Sequence, residues 1–215
     1  MLGGIRLIIY DLDGTLIDST EAIVETFNRV VEEQVGEACP AESIKAMIGL
    51  PLTEMFRSVL PPEKHANIQA CWDSYIKIYD EVGPRKTHIL PGVEETLKHF
   101  KQAGYLQSIA TTKRGDVTSR LLTALGLRDY FDLVLGINDV PAPKPAPDII
   151  NLTLERLRVK PREAVFVEDT TIGLEAGKRA GVHTVGVTTG THDRDKLARA
   201  CVRNSSSDQK YQTRI

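Results

Sequence analysis

The chain has 215 residues, a formal net charge of −2 and a hydrophobic share of 41%. That charge gives no electrostatic footprint for nucleic acid or an anionic membrane surface, and the length suits one domain carrying a smaller insert. Cys39, Cys71 and Cys201 form no CxxC pair, which argues for reduced structural thiols and a cytoplasmic setting; nothing near the N-terminus reads as a signal peptide or membrane span.

The first element is an uninterrupted apolar run, Leu7-Ile8-Ile9-Tyr10, the pattern of a fully buried strand of a parallel sheet. Asp11, Asp13, Gly14 and Thr15 follow it directly. Asp and Gly after a strand are ordinary turn residues, but two carboxylates at i and i+2 of an extended segment point the same way. Open α/β sheets place their ligands beyond the carboxyl ends of the strands, where these acids fall. So close, they would repel unless one stays protonated or a cation lies between them.

From Ser19 the pattern turns helical, with Ala22, Ile23, Phe27, Val30 and Val31 on one face. Further helical segments are expected over 42–47, 52–59 and 63–79, forming an insert with its own small core of Phe27, Met55, Phe56, Trp72, Tyr75 and Tyr79. At Gly83-Pro84 the character changes back. Helices over 93–102, 116–125, 147–157 and 172–180 then alternate with strands over 106–110, 133–135, 164–167 and 184–187, which implies βαβ units and a parallel sheet between helical layers. The domain division expected is a core of 1–16 and 84–215 around an inserted helical domain of 17–83. The stretch RNSSSDQKYQTRI, at about 203–215, reads as a disordered or frayed tail.

In such a sheet the strand ends face one rim, which gathers Asp11, Asp13, Thr111, Thr112, Lys144 of the loop after the third strand, and Glu168-Asp169. Carboxylates and carbonyls suit a hard cation such as Mg²⁺; a hydroxyl and an ammonium supply donors for phosphate oxygens, a combination that phosphoryl chemistry uses. The five histidines show no ligand spacing.

DLDGTLIDS, Thr111 at a strand end, Lys144 in KPAPD and VEDTTIGLEAGKRAG resemble the four ordered motifs of the haloacid dehalogenase superfamily of phosphohydrolases, over residues 5–189. The resemblance implies a Rossmann-like parallel sheet with the first strand central and helices on both faces, plus a small α-helical cap of the C1 type. It makes Asp11 the nucleophile, through an aspartyl-phosphate intermediate, and Asp13 the general acid and base. By the same resemblance Thr111 would bind the phosphoryl group with Thr112, and Lys144 would neutralise charge. It also implies a Mg²⁺ ion held by Asp11, the Asp13 backbone carbonyl and Asp169, with Glu168 as a direct or water-mediated partner. Hinges would lie at 16–18 and 81–84, and cap residues near Phe27, Leu50 and Leu52 would set specificity. Arg114 would meet a substrate carboxylate or stay solvated.

Dehalogenases of the superfamily do not use the second aspartate, so Asp13 points away from carbon–halogen cleavage. Glu168-Asp169 followed by Gly173 is shared with β-phosphoglucomutase and sugar-phosphatase branches, which leaves a phosphomutase as the rival reading and a non-catalytic regulatory member as a third. The mutases resemble one another in a Lys-Gly-Val-Ser-Arg cap segment, where this chain has Ile48-Gly49-Leu50-Pro51-Leu52, more like phosphoglycolate-phosphatase-type hydrolases. A phosphatase acting on a small phosphorylated metabolite, as a monomer or weak homodimer, is the expectation. Relatives continue with another apolar strand and a closing helix, so the C-terminal stretch suggests a truncated or altered reading frame, or a short family member.

Overall fold

The structure, a computed structural model, describes residues 3–201; the expected frayed tail lies outside them. In chain order it comprises β1 (Leu7–Tyr10), β2 (Ile17–Asp18), α1 (Thr20–Val35), α2 (Ala41–Lys45), α3 (Leu52–Val59), α4 (Ile68–Lys86), β3 (His88–Ile89), α5 (Val93–Gln102), β4 (Leu106–Ala110), α6 (Gly115–Ala124), β5 (Leu133–Leu135), α7 (Asp148–Leu157), β6 (Ala164–Glu168), α8 (Thr171–Arg179), β7 (His183–Gly186) and α9 (Arg194–Cys201). The main sheet has the order β5-β4-β1-β6-β7. β1 pairs in parallel with β4 through Ile9↔Ser108 and with β6 through Ile9↔Phe166.

The first strand is therefore central, as the family resemblance implies, and buried on both faces, as its continuous apolar run predicts. Alternation along it divides the core: Ile8 and Tyr10 join one cluster with Leu97, Val117 and Leu121 of α5 and α6, while Leu7 and Ile9 join another with Ile150, Leu154 and Ala176 of α7 and α8. Helices thus cover both faces. After β1 the chain crosses to β4 on one side and later to β6 on the other, which makes the end of β1 the switch point where ligands bind in such sheets.

Between β2 and β3 the chain builds α1 to α4. Phe27 and Phe56 stack with ring centroids 4.7 Å apart, and Tyr75 meets Phe56 edge-on at 6.3 Å. These rings belong to the same apolar cluster as Ile8 and Tyr10, so the helical insert's core is continuous with one face of the sheet.

Several expectations need correction. Trp72 is not a core residue; it is partly exposed and packs against the Arg114 guanidinium, 4.9 Å from the ring centroid. Arg114 does not line the site's pocket; its side chain stays 32% exposed and pairs with Asp116 at 2.6 Å. Gly83-Pro84 does not end a helix: α4 runs through it to Lys86, so the expected hinge at 81–84 and the boundary at 83/84 fall inside α4. The helix has nearly finished there, so the missing proline N–H removes a single late bond. The chain instead turns at Thr87 into β3, which pairs antiparallel with β2 through Ile17↔Ile89 and Asp18↔His88, a ribbon too short to show alternation in the sequence. The expected 63–79 helix starts later, at Ile68, after a 3-10 turn over Pro62–Asn67. The sequence reading also missed α9, packed on α8 and β7. Among the described residues no helix is long and apolar enough to cross a membrane.

Candidate active site

Three parallel strands end at the site. β1 delivers Asp11, whose backbone N–H still donates to Val167 O at 2.9 Å. β6 delivers Glu168 and Asp169, and the loop between β5 and α7 delivers Lys144. Lys144 Nζ lies 2.6 Å from Asp11 Oδ1 and 2.8 Å from Glu168 Oε2. All three side chains are buried, with Asp11 and Lys144 6% and 9% exposed. Charges removed from water to this extent persist only when paired and hydrogen-bonded.

Asp11, Glu168 and Asp169 each place a carboxylate oxygen within 4.8 Å of the others. One ammonium cannot balance three carboxylates. Burial pushes the Asp11 carboxyl well above the usual range, with Glu168 and Asp169 adding to the rise and Lys144 opposing it. Asp169 is pushed up to about 7, by burial first and by Glu168 second, against the Thr191 N–H that bonds it. Burial alone would lower the Lys144 ammonium, but Asp11 and Glu168 together hold it above its ordinary value. An all-oxygen, over-acidic cluster fits a hard divalent cation, whose charge would restore the ionised carboxylates.

Glu168 is the most committed of the three. Its Oε2 takes Lys144, and its Oε1 accepts both the Thr170 N–H at 3.1 Å and the Thr170 hydroxyl at 2.8 Å. Asp169 is held by the Thr191 N–H at 3.0 Å and, more loosely, the Thr15 hydroxyl at 3.4 Å. Gly190 lets that loop approach: a Cβ there would overlap Asp169 Oδ2 and lie 2.8 Å from its Cβ.

Asp13 does not join the carboxylate cluster. Its Oδ1 accepts from the Ser19 hydroxyl, and its Oδ2 lies 3.1 Å from Lys113 Nζ. β1 ends at Tyr10, so the alternation that would aim both acids the same way has lapsed by Asp13. Thr111 is buried, with its Oγ1 accepting the Lys113 N–H at 3.2 Å.

A pocket gathers Asp11, Asp13, Thr112, Lys144, Glu168 and Asp169; Thr111 is not among its lining residues. The helical insert contributes Ile48 and Gly49 to its rim. Phe27, expected to influence specificity, is fully buried in the helical core instead.

The sequence reading did not single out Ser19, Lys113, Thr170 or Thr191 as site residues. Ser19 and Thr170 stand inside quoted motifs, so proximity could have flagged them. Lys113 and Thr191 carried no such signal.

The sequence profile of the haloacid dehalogenase-like hydrolase family matches residues 8–187, and the chain belongs to that family. A pyrophosphatase PpaX of Bacillus velezensis is 35% identical over 187 residues, covering 85% of this chain and 83% of that protein. A phosphoglycolate phosphatase of Vibrio vulnificus is 31% identical over 205 residues, covering 90% and 88%. Among solved structures, a haloacid dehalogenase-like hydrolase from Bacteroides fragilis superposes with a TM-score of 0.82 at 28% identity, over 91% of this chain and 93% of that one.

Proposed function

We propose that this hydrolase is a Mg²⁺-dependent phosphatase acting on a small phosphorylated metabolite, phosphoglycolate or a sugar phosphate, through an aspartyl-phosphate on Asp11. The observation that carries the reading is the pairing of Asp11 with Lys144 at 2.6 Å beside a buried three-carboxylate cluster. The names of the two relatives, a pyrophosphatase and a phosphoglycolate phosphatase, support phosphorus–oxygen bond hydrolysis and differ on the substrate.

Asp11 attacks phosphorus, and the bond from phosphorus to the leaving oxygen breaks. Asp13 gives that oxygen its proton, then takes one from the water that attacks the aspartyl-phosphate, releasing inorganic phosphate and regenerating Asp11. Lys144 offsets negative charge on Asp11 and the phosphoryl oxygens, with Thr111 and Thr112 as further donors. Asp11, the Asp13 carbonyl and Asp169, with Glu168, are the residues that would hold Mg²⁺, which when bound supplies charge neutralisation at the phosphoryl group. The helical insert acts as the cap, keeping bulk water from the site and selecting the leaving group with Ile48 and Gly49.

Hydrolysis is favoured over phosphomutase chemistry by the lining of the pocket. Among its described residues Lys144 is the one cation, and the insert offers Ile48 and Gly49. A second phosphate would forgo charge-assisted hydrogen bonds of roughly 1.5–3 kcal/mol each.

The test is inorganic phosphate release from a panel of phosphomonoesters and pyrophosphate, with Mg²⁺ and with chelator. Mg²⁺-dependent turnover that Asp11→Asn abolishes is expected. Folded protein that turns over no member, or that interconverts sugar-phosphate isomers after priming by a bisphosphate, overturns the reading.

A further inference from the structure

Asp13 needs something to hold it. It lies beyond the hydrogen-bonded part of β1, tied to the frame by a single backbone bridge to Ile17, so the sheet does not fix its side chain. Ser19 occupies one carboxylate oxygen and Lys113 the other.

Lys113 is unlike a surface lysine. Its backbone is fixed on both sides, the N–H donating to Thr111 Oγ1 at 3.2 Å and the carbonyl accepting from Ile137 at 3.1 Å. Its side chain is only 12% exposed, the same as that of Asp13, whereas lysines are almost never buried unpaired. The ammonium lies 4.5 Å from the centroid of the Tyr79 ring, which stacks on Tyr75 at 5.6 Å. Both tyrosines belong to α4 of the helical insert and are buried. The Lys113–Asp13 pair is therefore anchored on the sheet and sealed by the insert, in a setting where ion pairs act more strongly than in water. Each acid of the Asp-Leu-Asp run thus has its own ammonium: Lys144 for Asp11 and Lys113 for Asp13.

We propose that Lys113 is a positioning residue for the proton-transfer step: its ammonium, covered by Tyr79, holds the Asp13 carboxylate in working orientation when the helical insert packs over the sheet. The proposal rests on the phosphatase reading above, in which Asp13 moves the protons.

The test is a double-mutant cycle on the full chain with Mg²⁺, using p-nitrophenyl phosphate and phenyl phosphate as probes and thermal melts to confirm folding. Lys113→Met is expected to lower kcat about tenfold or more while KM stays within about threefold, because proton transfer acts only in the transition state. The loss should be larger for phenyl phosphate, whose leaving group needs protonation more. In an Asp13→Asn background Lys113→Met should cost less than about a further twofold, since the residue it positions is gone. Multiplying losses in the double variant, equal losses for both probes, or an unchanged kcat would overturn the proposal. An Asp13→Asn variant with full activity would instead overturn the role given to Asp13, and the proposal with it. Should Lys113→Met fail to fold, Lys113→Arg against Lys113→Gln reads the same relationship: the charged variant should keep more kcat, and equal values contradict it.

Discussion

Gly173 and Glu168 fit together so closely that a Cβ on Gly173 would overlap Glu168 Oε2 and come 2.5 Å from its Cγ. Gly173 lies in the first turn of α8, where alanine would ordinarily be favoured by about 1 kcal/mol. Here the overlap reverses the sign, because Glu168 is trapped between Gly173, Thr170 and Lys144. Gly173→Ala is expected to lower stability by roughly 1–3 kcal/mol. It should also reduce kcat by about tenfold or more through displacement of Lys144. Thermal melts and phosphate release check both, and a stable, fully active variant would show the contact to be unimportant.

Lys144→Met removes the ammonium from a cluster that already carries excess negative charge. Breaking a buried pair from one side costs about 3–5 kcal/mol, and protonation of the abandoned carboxylates reduces that loss. We expect a lower Tm at neutral pH, partly recovered on acidification, and at least about a hundredfold loss of turnover. Lys144→Arg should not restore activity, because a planar fork does not replace a compact ammonium wedged between two acids. Urea melts at two pH values and initial rates decide it.

The acid cluster also sets a pH dependence. Burial and the neighbouring Glu168 push the Asp169 carboxyl up to about 7 in the folded chain, against roughly 4 when unfolded, and Asp11 is displaced the same way. Between these values the folded state holds protons the unfolded state lacks, so this contribution to stability falls as pH rises from about 4 to about 7. A divalent cation binds the ionised form and replaces those protons. The rise in Tm on adding Mg²⁺ should therefore be larger at about pH 8 than at about pH 5.5. Calorimetry with and without chelator checks this, and an equal or opposite difference would contradict the assignment of the cluster as a cation site.

Phe27→Ala tests the helical insert. The ring is fully buried and stacked on Phe56, and its loss should cost about 3–5 kcal/mol. Since the Phe27 cluster continues into the sheet face at Ile8 and Tyr10, the effect should spread past the insert. Hydrogen exchange should quicken in α1, α3 and α4 first, and in β1 to a smaller degree. Protection lost only within the insert would show that the two parts of the cluster are energetically separate.

Much of this was legible from the chain alone, for a physical reason in each case. Leu7-Ile8-Ile9-Tyr10 shows apolar residues at every position because both sheet faces are covered. Glu168 and Asp169 were visible because they lie at a strand end, and Lys144 because it lies in the loop after another, and the rim of a parallel sheet is common ground. Lys113 was not, since a lysine after two threonines looks solvated until Tyr79, 34 positions earlier, is folded over it. The aim of Asp13 was misjudged because strand alternation was carried three residues past where the strand stops. α9 escaped notice because Leu197 is the single large aliphatic side chain in its eight charged and small residues. β2 and β3 escaped because two residues cannot show a period.

The β2–β3 ribbon has a mechanical consequence. The chain enters and leaves the helical insert through strands bonded to each other at Ile17↔Ile89 and Asp18↔His88, so the two crossings are two knuckles on one pin. Were the insert to swing, it would have to turn about that pin like a door, carrying the edge that bears Ile48 and Gly49 across the acids.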